Sequence, residues 1–324
     1  MRDGKELVRF SRRYAEENRW RSWWHLWSTL SVFVLLAVVV CLGDRWFICL
    51  PASFLLGLVA VRVFILYHDF EHGTILHKSR LAALVLKSYG LVFLNPPSIW
   101  RRSHDHHHRN NAKIFGASIG SYPVMTRERY FGASRKERFV YLLTRHPVTI
   151  AFGYVTIFLW GMCARSFLSN PKLHLDSALA IVIHVALFVT LAIFSPWLLL
   201  FLLIIPILVA CGLGAYLFYA QHNFPGVELQ AREDWDYVFA ALRSSSFIRM
   251  GPLLRWFTGD IGFHHVHHLN ARIPFYRLAE AMKGIEELQS PKTTSLSVVD
   301  IWRCFRLKLW DAEENRMVPL RDAS

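Results

Sequence analysis

The sequence predicts an all-α integral membrane protein, with four transmembrane helices beneath a helical cap that holds a histidine-rich metal site. Three observations carry this expectation. Hydrophobic residues make up 53% of the 324 positions, and the mean hydropathy is +0.27, too apolar for an ordinary soluble chain. The apolar residues gather in runs, several of them near the ~20 residues that span ~30 Å of hydrocarbon. Finally, many of the 16 histidines cluster at ligand spacing beside those runs.

Residues 1–27 are polar at first, mixing Lys and Arg with Asp and Glu, which does not suit a signal peptide. Trp20, Trp23, Trp24 and Trp27 then precede the first apolar run. Tryptophan favours the membrane–water interface, so they read as an anchoring belt. Residues 28–42 and 46–67 form the first two spans, joined by Gly43-Asp44-Arg45. Arg62 falls near the inner end of the second span and is expected to snorkel to the membrane surface. His68 follows that span directly. Residues 81–94 are apolar but short, and Asn95-Pro96-Pro97 stops them. Three more apolar runs follow, at 148–168, 178–194 and 197–219, and the last leads into Gln221-His222-Asn223.

If the histidine clusters share one site, they lie on one side of the bilayer, and an even number of crossings separates any two. Residues 81–94 therefore do not cross. Of the later runs two cross, taken as 178–194 and 197–219 with a tight link at Ser195-Pro196. Residues 148–168 become a re-entrant or interfacial helix, an arrangement tolerated where protein buries it. Thirteen Lys or Arg between His68 and Pro147, against Arg45 alone in the first outer loop, place the active site and both termini on the cytoplasmic side. The formal charge of +13 has that explanation, and no nucleic-acid motif accompanies it. Cys41, Cys49, Cys163, Cys211 and Cys304 show no paired spacing and read as reduced, without a disulfide framework or a cysteine metal site.

The histidines form three boxes. His68-Asp-Phe-Glu-His72 has the spacing HxxxH. His104-Asp-His-His107-His108 contains HxxHH, and the third box repeats that spacing at His264, His267 and His268. Residues three or four apart share a helix face, so each box is expected to aim its rings at one point. Neutral imidazole is the commonest metal-ligating side chain. His222 lies in no box, yet it follows a span as His68 does. The nine candidates give two metal ions four or five imidazoles each. Without thiolates or carboxylates, geometry and availability choose the metal; two iron ions fit best, and zinc is the alternative. Asp69, Asp105 and Asp260 are candidates to accept the second ring N–H and fix the tautomers. His106 and His265 should point elsewhere. His25, His77, His146, His174 and His184 read as structural, His184 bonding to another helix.

The boxes, with Gln221-His222-Asn223-Phe224 ahead of the third, resemble those of the membrane-bound fatty acid desaturases. The run from Trp256 to His268 is most similar to the acyl-lipid type. The similarity covers roughly residues 30–310, dividing the chain into an N-terminal segment (1–27), a desaturase domain (28–310) and a tail (311–324). It implies a four-helix stem under a cytosolic cap, a di-iron centre and a narrow acyl channel. It also implies a reaction in which dioxygen, two electrons and two protons remove two hydrogens from a saturated C–C unit, giving a double bond and water. The substrate would be an acyl chain on a lipid, CoA or carrier protein. No His-Pro-Gly-Gly haem segment is seen (His146-Pro147 continues as Val-Thr), so electrons would come from a separate donor such as ferredoxin or a small cytochrome. A related di-iron hydroxylase or ketolase would share these ligands. A metal transporter would place its ligands near the bilayer midplane, whereas these fall at helix ends and in loops.

Overall fold

The computed structural model describes residues 2–114, 121–231 and 233–322. Helix α1 (Gly4–Ser11) precedes α2 (Arg19–Leu42), whose first turn is capped by Asn18 accepting the Arg21 N–H at 2.9 Å. Gly43-Asp44-Arg45 turns the chain into α3 (Trp46–Glu71). Short α4 (Arg80–Val92) starts on a Ser79 cap, and α5 (Pro97–Asn110) starts with proline in its first turn, where the missing N–H is no loss. Helix α6 (Arg135–Thr144) opens on a Ser134–Glu137 capping box. The wide, π-type helix α7 (Tyr154–Ala164) comes next, then α8 (Leu175–Phe194) and α9 (Pro196–His222).

Four of these helices, α2, α3, α8 and α9, are long and apolar enough to cross a membrane. They are the spans expected from the sequence, and the link at Ser195-Pro196 is sterically workable. Ser195 Oγ accepts the Leu198 N–H at 3.2 Å, so one residue ends α8 and caps α9. The two hairpin tips meet, since Trp197 Nε1 donates to the Gly43 carbonyl at 3.2 Å. Among the described residues, 148–168 hold no single helix long and apolar enough to cross a membrane. Short helical pieces and α7 pack there against α8 and α9. Tyr154 OH lies 2.7 Å from His184 Nε2, joining α7 to α8 as expected of His184. Trp20, Trp24 and Trp27 are exposed at the start of α2, as an interfacial belt requires.

The inner helices α3 and α9 carry the stem. Gly57 lets them touch, because a Cβ there would stand 2.7 Å from Val209 and 2.8 Å from the Pro206 carbonyl oxygen. Ser53 Oγ bonds across to the Phe201 carbonyl oxygen. Arg62 does not snorkel. It is buried, its Nε donates to Thr29 Oγ1 at 3.0 Å, another nitrogen meets His25 Nδ1 at 3.1 Å, and a third donates to the Trp256 carbonyl. The Trp256 ring lies over its guanidinium. These partners satisfy the charge in place, so the side chain has no need to reach the surface.

The cap sits over the histidine ends of α3 and α9. It contains α10 (Tyr237–Arg243), α11 (His264–Leu269) and α12 (Val298–Arg306). Two small sheets join the mainly helical fold. In the first, β1 (Met125–Thr126) runs parallel to β4 (Leu307–Asp311), which pairs antiparallel with β5 (Arg316–Pro319). In the second, β2 (Phe247–Arg249) pairs parallel with β3 (Thr293–Ser295). Strand β4 straddles residue 310, so the tail is paired into the cap. The N-terminal segment joins it too: Arg2 pairs with Glu287 at 2.8 Å, and Ser22 Oγ meets Tyr276 OH at 3.1 Å. The five cysteines are free.

Candidate metal centre

Each histidine is placed by a local device. His68 lies in the last turn of α3, and His72 follows one turn later as its C-cap. Helix α5 is held beside α3 by Tyr67 OH, which donates to the Asn95 carbonyl at 3.0 Å, and by Trp100, whose ring lies 5.4 Å from that of Tyr67 and 5.5 Å from that of His68. The third box is entered through a left-handed turn at Gly259 (φ 51) and Asp260 (φ 54). A side chain at 259 would strike Ile65 of α3 at 2.7 Å, so glycine is required there. Tyr237 OH donates to the His268 carbonyl at 2.6 Å and ties α11 to α10.

The nine imidazoles collect in two groups. His68, His72, His104, His108 and His267 form one; His107, His222, His264 and His268 form the other. Boxes two and three are therefore each divided, rather than each aimed at one point. In box two, His104 and His108 go to the first group and His107 to the second. In box three, His264 and His268 go to the second group and His267 to the first. Helix geometry explains this: residues four apart share a face, whereas adjacent residues diverge by about 100°. Two adjacent histidines at the end of HxxHH must then serve different points.

In the second group the Nε2 atoms form a closed ring. His107–His222 is 3.0 Å, His222–His264 2.9 Å, His264–His268 3.0 Å and His268–His107 3.2 Å. In the first group His68–His104, His104–His108 and His108–His267 are 3.0, 3.1 and 3.0 Å. An imidazole nitrogen carries either a proton or a lone pair, so a closed ring of such contacts is a poor set of hydrogen bonds. Nitrogens each about 2.1 Å from one ion, and at about right angles, stand roughly 3 Å apart. His72 Nε2 is buried with no hydrogen-bond partner among the described residues. Burial and the neighbouring imidazoles hold His104, His107, His108, His264, His267 and His268 well below the ordinary histidine range. Burial alone brings His72 down to about 4. These rings are neutral with lone pairs available, and the donor set fits two metal ions.

Of the three aspartates expected to orient rings, Asp69 is placed against one, that of His68. Its Oδ1 accepts from His68 Nδ1 at 3.0 Å while Oδ2 accepts the Phe275 N–H at 2.8 Å. Asp260 is turned away by the left-handed turn and pairs with Arg255 at 2.5 Å. Asp105 is half-buried and, among the described residues, bonds to no histidine; its neighbour His104 takes the inward face. Other groups take the part given to these two. Ser121 Oγ meets His107 Nδ1 at 2.9 Å, and the Ser244 carbonyl meets His222 Nδ1 at 3.2 Å. Neither had a sequence signal, because both arrive from distant segments. Trp100 had one, standing four residues before His104 on the same helix. His265 points away, to the Leu288 carbonyl at 3.2 Å, and His106 belongs to neither group.

An apolar cavity of ≈ 370 Å³ opens beside both groups. His68 and His104 of the first group and His264 of the second line one end, and Phe93, Met162, Ala210 and Cys211 line its reach into the stem.

A stem of four membrane-capable helices, two neighbouring histidine groups at its end and an apolar cavity between stem and histidines define a membrane protein built to work on an apolar molecule. Comparison with known proteins makes this specific. The fatty acid desaturase family model matches residues 44–297. A fatty acid desaturase from Bacillus subtilis (strain 168) is 31% identical over 90% of this chain and 86% of its own. An sn-1 oleoyl-lipid 12-desaturase from Picosynechococcus sp. is 24% identical, over 81% of this chain and 76% of its own. An sn-1 acyl-lipid omega-3 desaturase (ferredoxin) from Nostoc sp. (strain 36) is 25% identical, over 84% and 76%. The chain belongs to the fatty acid desaturase family, and it is an oxidoreductase of fatty acyl chains.

Proposed function

We propose that this chain is an O2-dependent di-iron desaturase that introduces a double bond into an acyl chain within the membrane. The observation that carries the reading is the sorting of nine neutral imidazoles into groups of five and four at the mouth of an apolar cavity. His68, His72, His104, His108 and His267 would hold one iron; His107, His222, His264 and His268 would hold the other. Iron held there supplies, with dioxygen and two electrons, an oxidant strong enough for an unactivated C–H bond.

The chain's own residues do the rest. Asp69 fixes the His68 ring so that Nε2 faces the site, and Ser121 and the Ser244 carbonyl do the same for His107 and His222. Val61, Phe64, Ile65 and Phe158 give the acyl chain an apolar, water-excluding path, which keeps the oxidant from other targets. Position along that path selects the carbons that react.

The packing of Arg2 and of strand β5 on the histidine side, together with loops there rich in Lys and Arg, supports a cytoplasmic position for this side. Reporters fused at residue 172 and at the C-terminus should report one side, and a reporter at residue 44 the other. A separate donor, ferredoxin or a small cytochrome, supplies the electrons. The Nostoc relative's description includes ferredoxin, and a net charge of +13 would steer an acidic partner in a salt-sensitive way. The acyl chain is carried on a lipid, as in the names of the acyl-lipid relatives.

The test is the fatty-acid profile, by gas chromatography and mass spectrometry, of a host expressing the chain beside its His267→Ala and His107→Ala variants. A new unsaturated acyl chain should appear with the wild type and vanish in both variants, while the variants still insert in the membrane. Metal analysis should find two iron ions in the wild type. A hydroxylated product would replace desaturation with hydroxylation, and full activity in either variant would remove the ligand assignment.

A further inference from the structure

Glycine destabilises a helix interior relative to alanine, so a glycine there calls for a compensating reason. Gly57 and Gly212 have one in close packing: a Cβ would stand 2.7 Å from Val209 and 2.9 Å from the Ala151 carbonyl oxygen, respectively. Gly161 on α7 and Gly214 on α9 do not. The nearest atom to a Cβ at Gly161 would be the Thr156 carbonyl oxygen of its own helix, at 3.6 Å, and at Gly214 it would be Phe158 Cζ, at 4.0 Å. Both residues line the apolar cavity. What they leave open is cavity space.

We infer that Gly161 and Gly214 set the usable depth of the acyl site, and so the number of carbons held between the reacting bond and the methyl end. This rests on the desaturase reading. The carboxyl end of the substrate is tied to a polar carrier, which does not enter an apolar cavity without its hydrogen bonds. The methyl end is therefore innermost. Along α9 the lining runs from Gln221, beside His222, to Ala210, about 16 Å at ~1.5 Å per residue. Gly214 lies in the inner half of that length. A leucine there would reach toward Phe158 and occupy the volume that the last carbons of the chain require.

The experiment uses the full-length protein in a host supplied in turn with saturated fatty acids that differ by two carbons. Gly214→Leu and Gly161→Leu should shift the product ratio toward the shorter chains by roughly tenfold or more for each methylene that no longer fits, or move the double bond toward the methyl end. Gly214→Ala, which adds one methyl group, should shift the profile the same way by a smaller factor. It therefore decides the matter if the leucine variants do not accumulate in the membrane. Unchanged chain-length preference and bond position in the accumulated variants, beside an active wild type, would overturn this inference alone. A wild type that makes no unsaturated product would overturn the desaturase reading and this inference with it.

Discussion

The apolar stretches of helices α2 and α3 have the same mean hydropathy, 2.3, yet 17% of the first and 67% of the second is buried within the protein. The outer helix α8 is as exposed as α2, and α9 is buried to 39%. The two more buried helices are the ones that carry His68 and His222 in their last turns. Hydropathy measures transfer into oil and does not separate lipid from protein, since lipid tails are as apolar as leucine. Small and polar side chains make that separation. Helix α3 places Ala52, Ser53, Gly57 and Ala60 along its buried length, where neighbouring backbones come close, and it buries Arg62 in a set of hydrogen bonds. Helix α2 turns Val34, Leu35, Val38 and Leu42 outward.

The contrast can be broken from the inside. Gly57→Leu drives a side chain into Val209 and the Pro206 carbonyl. It should destabilise the stem by about 3 kcal/mol, read as a lower thermal midpoint in detergent and less protein in the membrane. Asp69→Asn leaves the stem packed but loosens the His68 ring, and metal affinity should fall roughly 10- to 100-fold in a chelator competition. Arg62→Met removes the bonds to Thr29 and the Trp256 carbonyl. The expected cost is about 1–2 kcal/mol, and no change in the melting midpoint would mean that these bonds hold nothing. At the other end of the scale, Leu35→Ala on the outer helix should stay within about 0.5 kcal/mol by the same melt. A loss as large as that of Gly57→Leu would show that α2 faces a partner rather than lipid.

Acidity sharpens the same comparison in the metal-free protein. The His72 imidazole is held at about 4, against about 6.5 in an unfolded chain. Between those values the unfolded state binds more protons, so stability rises with pH from about 4 to about 6.5 and is lost as pH falls through that window. Denaturant melts across it should show this slope, to which the other histidines held below their ordinary range add, and a His72→Gln variant should lower it by the share of one group.

Much of this was readable from local pattern. The four membrane-capable helices and the bond from His184 followed from run length and the cost of an unpaired polar group in an apolar helix. Arg62 was misread because a charge near a helix end has two solutions, the surface or a buried set of partners. Its partners Thr29, His25 and Trp256 come from two other segments. Asp260 was misread because the left-handed turn that precedes the third box points its carboxylate toward Arg255.

The sequence by itself determined how many helices can cross the membrane and which imidazoles are presented at their ends. Hydropathy over ~20 residues and spacings of three and four are properties of one helix at a time. Only the tertiary structure decided that boxes two and three each divide between two points and that His222 closes the second group. It alone brought the N-terminal segment and the tail into the cap. Those outcomes depend on which helix faces which across the stem. That is settled by side-chain packing and hydrogen bonds between residues far apart in the chain, which no local periodicity encodes.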